Sequence, residues 1–261
     1  MRVSRPIVTA WMSAQVAVLA VAACASPAPR PDTATTAPST PSTAISAPLL
    51  APPPLFYTKG GSLYISDPVG SPGRKLTDGP ADSEPAPSPD LEHVAFIRKA
   101  NASDYGGELW VLDLSPEREP LAAPRRLVDP ATLPSTAGGS ASDGTAPRIV
   151  APRWSPTGNQ VAFLEAGEGG GFLFVADAVI DEIISPEQRL FADEGYAWAP
   201  DGQHIAWAGG RSDVSPVDVN VLTVGAKSTV VAKDTNAFSV TYDKDGKTIL
   251  FANADATGEM F

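Results

Sequence analysis

Short runs of alternating apolar and polar residues recur along residues 55–261, each preceded by a turn of similar composition. The stretches "APSPDLEHVAFIRK" (86–99), "APRWSPTGNQVAFLEA" (151–166), "AWAPDGQHIAWAGG" (197–210) and "TYDKDGKTILFANA" (241–254) stack in register. Pro89, Pro156, Pro200 and Lys244 share one position; Asp90, Thr157, Asp201 and Asp245 follow, then Leu91, Gly158, Gly202 and Gly246. Three residues on come Val94, Val161, Ile205 and Ile249, and two further Phe96, Phe163, Trp207 and Phe251. Pro156, Pro200 and Lys244 are spaced by 44 residues, and Pro89 lies 67 before Pro156, one unit plus an insertion of 23. A fixed period of this length marks a repeated supersecondary unit.

Each unit predicts four short strands. "PRWS" (152–155) leads into a Pro-Thr-Gly-Asn turn, where proline presets φ and glycine supplies a positive φ. "VAFLE" (161–165) returns with a period of two. "FLFVAD" (172–177) is the third strand, matched by "LYISD" (63–67), "LWVLD" (109–113) and "VNVLTV" (219–224). "QRLFAD" (188–193) is the fourth, matched by "RKLTD" (74–78), "RRLVD" (125–129) and "STVVAK" (228–233). Strands this short, joined by turn residues, form one antiparallel sheet per repeat. A single such sheet cannot cover both of its faces; stacking the sheets about an axis does, and the expected fold is an all-β propeller of four-stranded antiparallel blades with four to five repeats visible. The folded part opens on a second-strand segment, "LFYTKG" (55–60). It closes on "GEMF" (258–261), which aligns with "GELW" (107–110) at the start of a third strand. Those ends overlap instead of completing one another, so the register favours a piece of a longer propeller over a small irregular ring.

The pattern breaks upstream of residue 55. Arg2 and Arg5 precede a mostly apolar run over residues 7–21, the layout of a secretory signal and short for a bilayer span. It ends Val21-Ala22-Ala23-Cys24, which resembles the bacterial lipobox; the resemblance implies a signal peptide over 1–23 and lipid attachment at Cys24, the single cysteine of the chain. One cysteine excludes an intramolecular disulfide framework and a cysteine-cluster zinc site. Residues 25–54 contain nine prolines, the rest being mostly Ala, Ser and Thr, so residues 24–54 read as a lipidated cysteine and a semi-rigid tether. Thirty residues in polyproline-II conformation reach up to about 90 Å. The formal charge of −11 becomes −13 once Arg2 and Arg5 leave, which disfavours nucleic acid and makes acyl chains, not a basic patch, the membrane anchor.

The motif (W)-S-P-D-G-x-x-I-A-F, followed by L-Y-V-x-D and R-x-L-T, resembles the WD40-like (PD40-type) repeats of TolB-like propellers. "RWSPTGNQVAF" and "AWAPDGQHIAW" match it closely, "SPDLEHVAF" lacks the glycine and "YDKDGKTILF" lacks the proline. The resemblance covers residues 55–261. It implies a cell-envelope lipoprotein, lipid-anchored on the extracytoplasmic side of a bacterial membrane, whose propeller binds or scaffolds an envelope protein. Similar repeats also stand in front of prolyl-oligopeptidase-type hydrolases, and a propeller channel suits a sugar or peptide; both remain as alternatives.

No catalytic constellation, cofactor or metal site is expected within these residues. His93 and His204 share one repeat position, where other units have Gln160 and Thr248, and read as structural. No G-x-S-x-G elbow occurs. The run Gly167-Glu168-Gly169-Gly170-Gly171 lacks phosphate-loop spacing and reads as a hairpin between strands. Asp243-Lys244-Asp245-Gly246 lacks the glycine and glutamate placement of a calcium loop and falls on the repeat turn. Trp110, Trp154, Trp198 and Trp207 fall on predicted strands and read as packing residues. Asn101-Ala102-Ser103 is a glycosylation sequon in form only. The insertion over 116–147 carries the polar "LPSTAGGSASDGTAP" (133–147) and reads as a surface excursion.

Overall fold

A computed structural model describes residues 52–133, 148–167, 170–184, 190–192, 195–209 and 217–253. By Cα proximity the chain divides into Met1–Leu49 and Leu50–Phe261; the second unit is described below. The expected signal segment, lipidated Cys24 and tether up to residue 51, and the polar part of the insertion over 134–147, lie outside the described residues.

Among the described residues, five antiparallel sheets follow one another along the chain. Blade 1 contains β1 (Leu55–Lys59), β2 (Ser62–Ser66) and β3 (Arg74–Lys75). Blade 2 contains β4 (Asp82–Pro87), β5 (His93–Arg98), β6 (Glu108–Asp113) and β7 (Arg125–Val128), in that order across the sheet. Blade 3 is β8 (Arg148–Trp154), β9 (Gln160–Gly167), β10 (Gly170–Asp177) and β11 (Glu182–Ile183), with β12 (Phe191–Ala192) also on β10. Blade 4 is β13 (Gly195–Trp198), β14 (His204–Gly209), β15 (Asp218–Thr223) and β16 (Ser228–Ala232). Blade 5 shows β17 (Ala237–Tyr242) and β18 (Ile249–Asn253).

The period of two on each second strand divides its side chains between two neighbouring blades. Val94 and Phe96 pack with Phe56, Leu63 and Ile65 of blade 1, while Ala95 and Ile97 pack with Val161, Phe163 and Phe174 of blade 3. Ala162 and Leu164 then meet Tyr196, Ile205 and Trp207 of blade 4, and Ala206 and Ala208 meet Ala237 and Val240 of blade 5. The core is thus a series of layers between sheets, which is the packing a propeller requires.

The turn before each second strand is built alike in every copy. Leu91, Gly158, Gly202 and Gly246 donate N–H bonds to Ser88, Ser155, Ala199 and Asp243. All four sit at positive φ, from 64° to 81°; Leu91 takes the left-handed conformation without being glycine. Trp154 Nε1 donates to the Ala86 carbonyl of the preceding blade at 2.8 Å, and Trp198 Nε1 does the same to Arg153 at 3.1 Å. These are equivalent positions, so the repeat carries its own bond between blades.

Three strands differ from their predicted spans. The third unit's fourth strand, expected over 188–193, is split into β11, opposite Ala176 and Asp177, and β12, opposite Gly171 and Phe172. Asp177 Oδ1 accepts the N–H groups of Val179 and Ile180, turning the chain back immediately, and β10 is re-paired before Leu190 returns to bond Leu173. Strand β8 begins at Arg148, earlier than expected. Of "RKLTD" the strand covers only Arg74 and Lys75; Leu76 N still bonds the Leu63 carbonyl at 2.8 Å, and Thr77 turns inward, accepting from Leu63 N at 3.0 Å and donating to Asp82 at 2.6 Å. Within the predicted insertion, β7 and a 3-10 turn over Pro130–Thr132, capped by Asp129, are regular structure. Gly167 pairs with Gly170, as a hairpin requires.

Candidate protein-binding rim

The connections between third and fourth strands of blades 1–3 meet at one end of the sheets. In blade 1, residues 67–73 are folded around Ser66, whose hydroxyl accepts from Gly70 N at 3.0 Å and donates to the Ser71 carbonyl at 2.9 Å. In blade 2, residues 114–124 form a small closed loop: Ser115 N bonds Glu119 at 2.8 Å, Arg118 N bonds Ser115 at 2.7 Å, and Leu121 N bonds Asp113 at 3.0 Å. In blade 3, residues 178–181 are the turn held by Asp177.

Arginines join these three connections. Arg74 of β3 reaches Glu119 Oε2 at 2.7 Å and the Arg118 carbonyl at 2.9 Å. Arg118 pairs with Asp67, tying blade 2 to blade 1. Arg125 of β7 donates to the Ala178 carbonyl at 2.7 Å and pairs with Asp181, tying blade 2 to blade 3. A single exposed ion pair contributes little to stability. Here each arginine spans two blades, and two of them also bond backbone carbonyls, so their effect is to fix loop positions.

On this scaffold stand large apolar side chains left exposed among the described residues: Val69 (47% exposed), Leu121 (66%), Val179 (72%) and Ile180 (61%). Exposed apolar residues on joined loops of three consecutive blades, with charged residues among them, have the composition of a contact surface.

His93 lies at the same end. Its Nδ1 is 2.8 Å from Asp113 Oδ1, and its ring stacks on Trp154 at 5.7 Å between centroids. Arg125 Nε is 3.9 Å from the other Asp113 oxygen. His204, at the equivalent repeat position, bonds instead to Asp201 of its own turn at 2.7 Å, because β15 has Thr223 opposite it where β6 has Asp113. Both histidines are held by carboxylates of their own blades. Trp110, Trp154, Trp198 and Trp207 all lie on strands; Trp154 and Trp207 are buried and the other two pack against core layers.

The turn carboxylates are tuned by their hydrogen bonds. Burial acts upward on Asp90 and Asp201, but Ser88 and Glu92 N–H for the first, and Gln203 N–H and His204 for the second, outweigh it and hold both below the ordinary carboxylate value. Asp243 is lowered chiefly by the Thr248 N–H. Tyr196 is pushed up by burial, the single proton of its hydroxyl shared between the Ala162 carbonyl at 2.9 Å and the Ala151 carbonyl. Among the described residues, no three His, Cys, Asp or Glu side chains cluster as metal ligands would, and no helix is long and apolar enough to cross a membrane.

No family model and no curated protein matches the chain. Solved structures do. An oligogalacturonate lyase from Vibrio parahaemolyticus is 13% identical, with 76% of this chain and 52% of that one covered at a TM-score of 0.52. A puromycin hydrolase variant is 16% identical, covering 80% and 34% of the two chains, again at 0.52. The fold is that of the β-propellers. The putative TolB from Agrobacterium tumefaciens is also similar, at 18% identity and a TM-score of 0.49, covering 78% of this chain and 66% of that one. The chain spans 43% of TolB from Acinetobacter baumannii and 66% of the Agrobacterium protein. At these identities the likeness extends to the fold alone.

The rim residues were not legible as a site in the sequence. Val69, Val179 and Ile180 fall between predicted third and fourth strands and Leu121 in the predicted insertion, where an apolar residue was the one available signal. Their assembly depends on Arg74, Arg118 and Arg125 reaching partners 45 to 56 positions away.

Proposed function

We propose that this chain is a bacterial cell-envelope lipoprotein whose propeller binds another protein through the rim of blades 1–3. The observation that carries the reading is the set of exposed apolar side chains Val69, Leu121, Val179 and Ile180 on loops fixed by arginines across three blades. Binding energy at such surfaces concentrates in a few apolar and aromatic contacts surrounded by polar residues. The envelope location and anchor rest on the signal-like segment ending at Cys24 and on the proline-rich tether.

Photo-crosslinking amino acids placed at Leu121 and Ile180 in the full-length chain in its native cells test the interface, with exposed Lys244 of blade 5 as the control. One protein adduct at both rim positions and none at Lys244 supports the reading; no adduct, or equal adducts at all three, overturns it. In the same cells, Cys24→Ser moves the chain out of the membrane fraction if the anchor is the cysteine. A second reading, the propeller part of a larger hydrolase, rests on the fold likeness to the puromycin hydrolase. A reading frame extending into a G-x-S-x-G segment favours it.

A further inference from the structure

At the opposite end of blades 1 and 2, away from the rim, a cleft of about 150 Å³ opens between the β1–β2 hairpin and the start of β4. Among its lining residues are Thr58, Lys59, the Gly60-Gly61 turn, Asp82, Ser83 and Lys99. Its walls are tied together: Asp82 N donates to the Gly61 carbonyl at 2.9 Å, and Lys99 N to the Ala81 carbonyl at 3.1 Å. Gly60 and Gly61 both have positive φ, and a Cβ at Gly61 would lie 2.8 Å from the Pro80 carbonyl oxygen, so the hairpin seats closely against the next blade.

The charge balance of the cleft is unusual for this acidic chain. Asp82, 2% exposed, already has its oxygens engaged: Arg98 donates Nε to Oδ1 at 2.7 Å and Nη2 to Oδ2 at 2.9 Å, and Thr77 donates to Oδ2 at 2.6 Å. Arg98 itself lies over the Trp110 ring, 4.5 Å from its centroid. That leaves Lys59 and Lys99 as two positive charges on one cleft, and among the described residues neither forms a salt bridge. They occupy one repeat position, directly after the second-strand aromatic and two following residues, where later units have Ala166, Gly210 and Ala254. The lysine pair therefore belongs to these two blades and to the cleft between them. The Ser83 hydroxyl already donates to the Ile97 carbonyl at 3.4 Å. Two ammonium groups and the Thr58 hydroxyl are the donors lining a volume suited to a small oxyanion.

We propose that this cleft binds a phosphoryl group through Lys59 and Lys99. The group has two sources, a free phosphate or monoester and the phosphodiester of an anionic lipid headgroup. Blade 1 is the first to follow the tether in the sequence.

The test is calorimetric titration of the full-length chain in detergent with inorganic phosphate and, separately, with glycerophosphoglycerol as the headgroup phosphodiester. Phosphate binding that a Lys59→Met, Lys99→Met double variant weakens by about tenfold or more, and that a Lys59→Arg, Lys99→Arg variant retains, supports the site. Binding of phosphate alone assigns it to monoesters or free phosphate, and binding of the diester as well assigns it to headgroups. Binding must also weaken as sodium chloride rises toward about 1 M, because screening acts on exposed charges. An unchanged thermal unfolding transition in the methionine variant separates loss of the site from loss of the fold. Absence of binding by either probe up to about 50 mM, well above the roughly 1 mM dissociation constants of weak ligands, overturns the proposal, as does equal binding by the methionine variant.

Discussion

The repeat turn shows how much one backbone angle decides. Gly202 sits at φ +67°, and a Cβ there would lie 2.6 Å from Thr157 Cγ2 and 2.9 Å from Ser155 Oγ. Gly202→Ala therefore combines left-handed strain with a clash and is expected to destabilise by more than about 1 kcal/mol in urea unfolding. Leu91 adopts the same conformation at φ 64° and keeps the same N–H bond to Ser88, so the fold imposes the turn even where glycine is missing. The turn carboxylates give a pH prediction. Asp90, Asp201 and Asp243 titrate lower in the folded chain than in the unfolded one, so the unfolded state takes up protons first as pH falls. Their stabilisation is fully present at neutral pH and is lost below about pH 4, through the lowered folded values. Melting temperature measured from neutral to acid pH checks this, and Asp201→Asn gives a shallower acid decline than the parent.

Within the elements, equivalent positions differ because their neighbours differ. Phe96, Phe163 and Trp207 are enclosed between sheets, at 0%, 0% and 2% exposure, whereas Phe251 on β18 is 42% exposed and Leu250 beside it 54%. Phe163 also stacks on Phe174 at 5.8 Å. Phe163→Ala is expected to cost about 3–5 kcal/mol and Phe251→Ala about 1 kcal/mol, although the two residues share a repeat position. Urea midpoints at unchanged m-value measure the difference.

Across the whole molecule, stability and loop placement are separable. Sheet layers and the Trp154 and Trp198 indole bonds hold the blades together, while Arg74, Arg118 and Arg125 set the positions of the connections that carry the rim. Arg125→Ala removes the bond to Ala178 and the pair with Asp181 without opening a core layer. It is expected to change unfolding free energy by less than about 1 kcal/mol while speeding amide exchange over residues 178–184. Crosslinking at Ile180 falls in the same variant if the rim is the interface.

Residue pattern alone determined the repeated unit, the strand alternation, the turn glycines and the sheet-by-sheet core, because a period of two and a Pro-Asp-Gly turn constrain backbone locally. The second strands and all four third strands fall within a residue or two of their expected spans, and blades 2–4 each carry strands from all four repeat positions. The split fourth strand of blade 3 was not legible, since it depends on Asp177 capping the turn that follows it. Nor was the divergence of His93 from His204, which depends on whether the cross-strand partner is Asp113 or Thr223. Tertiary structure decided what no spacing encodes: which arginine bridges which loops, and that Lys59 and Lys99 face one cleft. Those pairings join residues 40 or more positions apart, and their distances are set by how one blade seats on the next.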